Sequence, residues 1–407
     1  MKILVLNAGS SSQKTRLYEL NDPLPDLPLA PLWTADADWA EHPGVTSLKI
    51  TTASGQSLEE KIPTDSRSEV ITHLLNTLWS GKTQVVAQPS DIDIVGHRVV
   101  HGGQEYTEAT RVTPAVKDAI KRLAEYAPLH NPVNLEGIEI VEHILPNVPQ
   151  VAVFDTAFHA QLPQAAVVYP GPYEWFEQGI RRYGFHGISH QYCAQRAAQI
   201  LRRDLASLRL ITCHIGNGCS LAAISGGRSI DTTMGFTPLE GLMMGSRSGS
   251  VDPGILIYLL RQKGYSADQF ETLLNKESGL KGVSGVSSDM REILSAMRED
   301  KERARLAFDI YIHRLRFFMG AMLAVLGGVD AIVFAGGVGE HAPSVRWAAC
   351  KAFGFLGLKL DGAKNAQSPA DQDIAAADSA VRVLIVQTQE DWSIARECWK
   401  IAREVQE

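Results

Sequence analysis

The chain has 407 residues, of which 45% are hydrophobic and 21% charged, and 39 Lys and Arg against 46 Asp and Glu give a net charge of −7. That length exceeds one ordinary core, so two domains of a soluble globular protein are expected. The acidic balance argues against nucleic acid or an anionic membrane as partner, so an anionic ligand would be drawn by local cations and backbone N–H groups.

The five cysteines (Cys193, Cys213, Cys219, Cys350 and Cys398) form no CxxC pair, which fits buried, reduced thiols in the cytoplasm. A strand directly after Lys2 has no signal-peptide layout. Ile3–Leu6 read as a short buried strand running into "NAGSSS", an amide-rich turn, with Lys14 just beyond. Leu20–Gly44, rich in Pro, Asp and Trp, reads as an irregular loop without chemistry. "DIDIVGHRVVHGG" is a strand entering a glycine turn, and its period-two alternation puts His97, Val99 and His101 on one face and Arg98 and Val100 on the other. Thr113 caps a helix with Pro114 in its first turn, running to about Tyr126 and ended by Pro128. "PLHNP" then places His130 in a proline-bracketed loop.

"VPQVAVFDTAFH" is a buried strand with Asp155 at its C-terminal end, and "RRYGFHGISH" places His186 before a helix starting near Ser189. "RLITCHIGNGCSLAAISGG" echoes the N-terminus as strand, turn and strand, which predicts two similar domains, each placing a hairpin turn at a shared cleft. The helix Glu302–Leu326 is apolar around most of its circumference and is expected to be buried or to form a subunit interface. Its Arg and Asp residues exclude a membrane span. "VDAIVFAGGVGEHAPSV" is strand, glycine turn and helix start. After the strand "VRVLIVQT" come Glu390 and Asp391, then an amphipathic helix over about Asp391–Val405 expected to pack back on the first domain. The alternation of strands and helices predicts an α/β fold. The expected domains are 1–155 plus 385–407, and 156–384.

Small residues admit a ligand close to the backbone, and turn N–H groups cradle phosphate. "NAGSSS", "HIGNG" and "AGGVGEH" each follow a buried strand, and together they point to a nucleotide held between two domains without a GxxxxGK[ST] loop. Arg247 in "MGSRSGSVDPG" has Gly and Ser neighbours that give its stem little to pack on, which favours a site role. Arg98 suits bidentate binding of a carboxylate or phosphate, or a structural ion pair. His186 and His190 have HxxxH spacing, but no Glu or Cys cluster supports zinc, and a core or capping role suits His190. Glu390 and Asp391 could hold Mg²⁺ or simply complement a helix N-terminus.

The motifs "NAGSSS", "GHRVVHGG", "PLHNP", "FDTAFH", "RRYGFHGISH", "HIGNG", "MGSRSG" and the "GE" of "AGGVGEH" occur together and in order. In this the chain closely resembles the acetate kinases, of the acetate and sugar kinase, heat-shock chaperone and actin superfamily. It departs at His341, where Asn is common, at Thr15, where an aromatic is common, and through Leu20–Gly44.

The resemblance implies two duplicated ribonuclease-H-like domains with a nucleotide cleft between them. It also implies reversible, Mg²⁺-dependent phosphorylation of acetate by ATP through in-line transfer, with Mn²⁺ as a possible substitute, in a cytoplasmic homodimer. By the same resemblance, Asn7 and Glu390 organise the metal, while Asp155, His186, Arg247, Arg98 and His130 are catalytic. Val100, Leu129, Phe185 and Pro238 join Arg98 around acetate. ATP is met by Lys14, by His214, Ile215, Gly216, Asn217 and Gly218, by Ser288, Asp289, Met290 and Arg291, and by Gly337, Val338, Gly339, Glu340 and His341. Acetate is already ionised at neutral pH, so Asp155 is expected to orient Arg98 or metal-bound water and not to move a proton. The alternatives are a propionate or other short-chain acyl kinase, disfavoured by Val100 where a smaller residue would suit, and an ATP-driven conformational protein, which would need no Arg98, His186 and Arg247.

Overall fold

The computed structural model of the protein describes residues 1–9, 12–42 and 44–404. Its contacts divide the chain into two compact units, Met1–Ala157 with Gln389–Glu407, and Phe158–Thr388. The second passage falls after Thr388 because Val386 still donates a backbone hydrogen bond to Phe334 within the second unit's sheet.

The first unit holds eight strands: β1 (Lys2–Ala8), β2 (Ser12–Glu19), β3 (Trp33–His42), β4 (Val45–Thr52), β5 (Ser57–Ile62), β6 (Ile94–Val99), β7 (Thr110–Arg111) and β8 (Gln150–Phe154). They lie in the order β5-β4-β3-β2-β1-β6-β8-β7. β1, β6 and β8 run parallel, whereas β1 to β5 form an antiparallel meander. β1 and β8 are buried on both faces, which accounts for their continuous apolar runs.

The second unit holds β9 (Arg209–Ile215), β10 (Cys219–Ser225), β11 (Arg228–Thr232), β12 (Ala331–Ala335), β13 (Gln372–Asp373) and β14 (Arg382–Ile385), in the order β11-β10-β9-β12-β14-β13. The sets β3-β2-β1-β6-β8 and β11-β10-β9-β12-β14 are the same arrangement: three antiparallel strands, then two parallel to the first. The echo between the two strand-turn-strand sequences is therefore a structural duplication.

Part of Leu20–Gly44 is strand, not loop. In β3, Trp33, Ala35 and Ala37 are buried while Asp36 and Asp38 are exposed, so the stretch alternates as a one-sided strand should. Its inward residues include two alanines and its outward ones two aspartates, types depleted in strands, which masked the period. The helix from Pro114 ends at Arg122 and tightens into a 3-10 turn over Leu123–Glu125. The helix Glu302–Leu326 buries Ala304, Ala307, Tyr311, Leu315 and Met319 but leaves Leu306, Phe317 and Val325 exposed.

The last helix, Glu390–Glu404, returns to the first unit and lies on β1 and β6, burying Trp392, Ile394, Ala395 and Cys398. Contact is close at Gly96 in β6, where a Cβ would stand 2.5 Å from Cys398 Sγ and 2.7 Å from Ile394 Cγ2. Gly96→Ala is therefore expected to lower stability by about 1–3 kcal/mol, because neither neighbour has room to withdraw. An unchanged urea midpoint would show that the helix does not depend on this contact.

Candidate active site

Chemistry-bearing residues of the first unit gather at the C-terminal ends of its parallel strands. Asn7, near the end of β1, is paired across the ladder with Lys14 of β2, so both lie on one face. The Asn7 Nδ2 donates to Asp391 Oδ1 at 2.7 Å and lies 3.4 Å from Glu390 Oε2. Both carboxylates open the last helix, and the buried Trp392, edge-on to Tyr18 at 5.7 Å, fixes that helix start. Arg16 approaches Asp391 at 3.5 Å. Burial pushes the Asp391 carboxyl upward, against the pull of Arg16, Asn7 and Lys14. Glu390 and Asp391 supply carboxylate oxygens, and Asn7 an amide oxygen, which is the hard-donor chemistry Mg²⁺ takes. Ser10 and Ser11 of "NAGSSS" lie outside the described residues.

Arg98 and Asp155 meet at the ends of β6 and β8. Arg98 Nε and Nη2 both donate to Asp155 Oδ2, at 3.0 and 2.5 Å. Burial alone would weaken the hold of Arg98 on its proton, but Asp155 and Glu390 reverse that and keep it charged. The backbone beyond Arg98 is held by side chains of the helix Asn131–Ile144. Asn134 accepts from Val100 N and Asn131 from His101 N, both at 3.1 Å, while Thr156 accepts from Gly102 N. Val100 is buried; Leu129 is exposed, and His130 sits at the helix N-cap. Asn131, Asn134 and Thr156 carry no catalytic signature, and only the fold shows that they shape this loop.

In the second unit the centre is the turn Gly216–Gly218 between β9 and β10. A Cβ on Gly218 would lie 3.6 Å from Arg247 Nη1, 3.5 Å from His186 Cε1 and 3.6 Å from His186 Nε2. Arg247 Nη1 donates to Pro238 O at 2.9 Å. His186 caps the helix Gly187–Leu201 in a left-handed conformation, φ 56° and ψ 26°, which a non-glycine residue holds only when its surroundings fix it. Its ring stacks on His214, with centroids 4.2 Å apart. The neighbouring Phe185 is buried. His190, the other half of HxxxH, has both ring nitrogens bonded to hydroxyls, those of Thr212 and Ser220, each at 2.7 Å.

The same turn borders a cavity of about 360 Å³. Gly216, Asn217, Ser288, Asp289, Met290, Arg291, Gly337, Val338 and His341 line it, joined by Leu280, Leu294 and Ala342, whose apolar side chains carried no motif. Arg291 pairs with Asp289, which lowers the Asp289 carboxyl. Glu340 faces its own backbone: its carboxylate accepts from Gly336 N at 3.0 Å and Thr388 N at 3.2 Å. Gly336 has φ +75°, and a Cβ there would meet Ile215 O at 2.9 Å, so only glycine lets this turn lie against β9. The buried Arg346 donates to Gly339 O and Glu340 O and so secures the end of the "GGVGEH" helix. Ile215 is buried at the end of β9.

Residues 2–396 match the acetokinase family. The chain is 64% identical to the acetate kinase of Gloeobacter violaceus, over 99% of this chain and all of that one. Among solved structures, the acetate kinase of Porphyromonas gingivalis is 40% identical with a TM-score of 0.89, covering 98% of this chain and 99% of that one. A propionate kinase from Francisella tularensis is 36% identical, with the same TM-score and coverage. The duplicated strand order is accordingly that of the paired ribonuclease-H-like domains these enzymes carry. With its motifs in order and nearly its whole length matched, the chain belongs to the acetokinase family.

Proposed function

We infer that this protein transfers the γ-phosphoryl group of ATP to acetate, forming acetyl phosphate and ADP, and runs the reaction in both directions. The observation that carries this reading is that one short turn serves two purposes. Gly216 and Asn217 line the cavity, while Gly218 faces Arg247 and His186. A nucleotide in that cavity would present its terminal phosphate to both donors.

The chemistry fits. Phosphoryl transfer passes through a state with charge spread over the equatorial oxygens, so positioning and electrostatic stabilisation do most of the work. Arg247 and His186 supply donors, and Arg98 supplies a permanent charge. Acetate attacks as the carboxylate and needs no general base. Asp155 holds the Arg98 guanidinium by two of its N–H groups and leaves the remaining Nη1 hydrogens to face acetate or the phosphoryl group. We assign Val100, Leu129, Phe185 and Pro238 to the acetate methyl, and His130 to the substrate as well. Lys14 and Asn7 meet the phosphates. Exclusion of water from the reacting atoms would keep acetyl phosphate from being hydrolysed.

Asn7, Glu390 and Asp391 would hold Mg²⁺ directly or through water. The ion, when bound, neutralises charge on the nucleotide's phosphate oxygens. The five buried thiols suit the reducing cytoplasm, and no helix among the described residues is long and apolar enough to cross a membrane. The helix Pro253–Lys263 buries none of its residues and exposes Ile255, Ile257, Tyr258 and Leu260, the surface we assign to a second copy of the chain.

In a hydroxylamine-trapping assay with Mg-ATP, acetate is expected to give hydroxamate faster than propionate or butyrate. Arg98→Ala should lower the rate on the order of 100- to 1000-fold, and Asp155→Asn should lower kcat as well. No hydroxamate from any acid would refute the kinase reading, and a fully active Asp155→Asn would remove the orienting role. Asp391→Asn should raise the Mg²⁺ concentration for half-maximal rate about 10- to 100-fold; an unaltered Mg²⁺ titration would take Asp391 out of the metal site. Light scattering should find the wild type dimeric and Ile257→Asp/Leu260→Asp monomeric, and a monomeric wild type would count against the assigned surface.

A further inference from the structure

Behind His186 lies a chain of hydrogen bonds that the transfer reaction does not itself require. Thr212 and His214 of β9 alternate onto one face, and Ser220 of β10 stands opposite His214 on the same face. The helix Gly187–Leu201 brings Ser189 and His190 onto that face. Ser189 Oγ meets His214 Nδ1 at 2.7 Å. Ser220 Oγ lies between two rings, 2.8 Å from His186 Nδ1 and 2.7 Å from His190 Nε2, and Thr212 Oγ1 closes the line 2.7 Å from His190 Nδ1. Ser220 and His190 are fully buried.

We propose that Ser220 and His190 are positioning residues that hold His186 as a neutral imidazole with its proton on Nε2, the ring edge turned towards Gly218 and Arg247. This inference rests on the reading that His186 meets the transferring phosphoryl group.

The argument is a count of protons. Burial, with His159 and His214 nearby, pushes His190 well below the ordinary histidine range, so it stays neutral and carries one ring proton. Ser220 has one hydroxyl proton and two ring nitrogens to serve. Only two orientations of the line satisfy every member. In the first, Thr212 donates to His190 Nδ1, His190 Nε2–H donates to Ser220, and Ser220 donates to His186 Nδ1. The His186 proton is then on Nε2. In the reverse, His186 donates from Nδ1 to Ser220, and a neutral ring turns a lone pair towards the phosphoryl oxygens. The reverse offers a donor there only as an imidazolium, stacked on His214, near Arg247 and one hydroxyl away from His190. Arg247 already carries a permanent charge beside this ring and opposes a second one, so the orientation that offers a donor from a neutral ring is the first. His159 illustrates the same rule: its Nε2 lies 3.1 Å from Phe185 O and must donate, so its Nδ1 accepts from Ser229.

Nitrogen-15 NMR of ¹⁵N-histidine-labelled enzyme at pH 7.5 tests this directly, with the His186 signals assigned by their loss in His186→Asn. The expected result is a bare Nδ1 and a protonated Nε2. A proton on Nδ1, or on both nitrogens, would overturn the proposal whatever the variants do. Ser220→Ala should lower kcat about tenfold with the KM for ATP nearly unchanged. Its rate should climb again as pH falls, because protonation of the ring restores a donor at Nε2. Ser220→Thr, which keeps the hydroxyl, should recover most of the loss. A Ser220→Ala enzyme with wild-type kcat and pH profile would also refute the proposal. Inactive wild-type enzyme would refute the kinase reading instead, and the tautomer measurement separates the two failures.

Discussion

Everything in this protein depends on holding polar groups rigidly at the ends of buried strands. A loop there removes its backbone N–H groups from water and must find partners for them. Here side chains do it: Asn131, Asn134 and Thr156 take up the N–H groups of Val100, His101 and Gly102, and the Glu340 carboxylate takes up those of Gly336 and Thr388. With the backbone satisfied, each loop is a fixed platform, and Arg98 in one unit and the turn beside His186 in the other keep their geometry before substrate arrives. Preorganised donors of that kind need no rearrangement at the moment charge develops.

The same economy governs charge. Arg98 stays protonated in a half-buried position because Asp155 and Glu390 accompany it, and Asp391 is held by Asn7 and Arg16 despite a burial that favours its neutral form. One unit thus carries carboxylates next to a permanent cation, whereas the other carries imidazoles beside Arg247. The duplicated strand order supplies equivalent strand ends on which these different residue sets have been placed.

Much of this was legible in the residues. The glycine turns after buried strands, the position of Asp155 at a strand end and the long helix Glu302–Leu326 all follow from local pattern, since period and turn chemistry are properties of neighbouring residues. β3 was not legible, because its alanines and aspartates are poor strand formers and become a strand only through pairing with β2 and β4. The supporting residues were equally silent. Ser220, Asn131, Asn134 and Arg346 are ordinary polar residues in sequence, and their partners lie far along the chain.

By itself, then, the sequence determined the α/β class, the repeated strand-turn-strand unit and, through its ordered motifs, the acetokinase family. Those depend on short-range periodicity and on residue types spaced within single segments. Only the tertiary structure decided that Asn7 bonds chiefly to Asp391 and less to Glu390, that Asp155 spends its carboxylate on Arg98, and that His186 is wired through Ser220 to His190. Each is a hydrogen bond a few ångströms long, and its existence depends on strand register and helix placement that no local pattern contains.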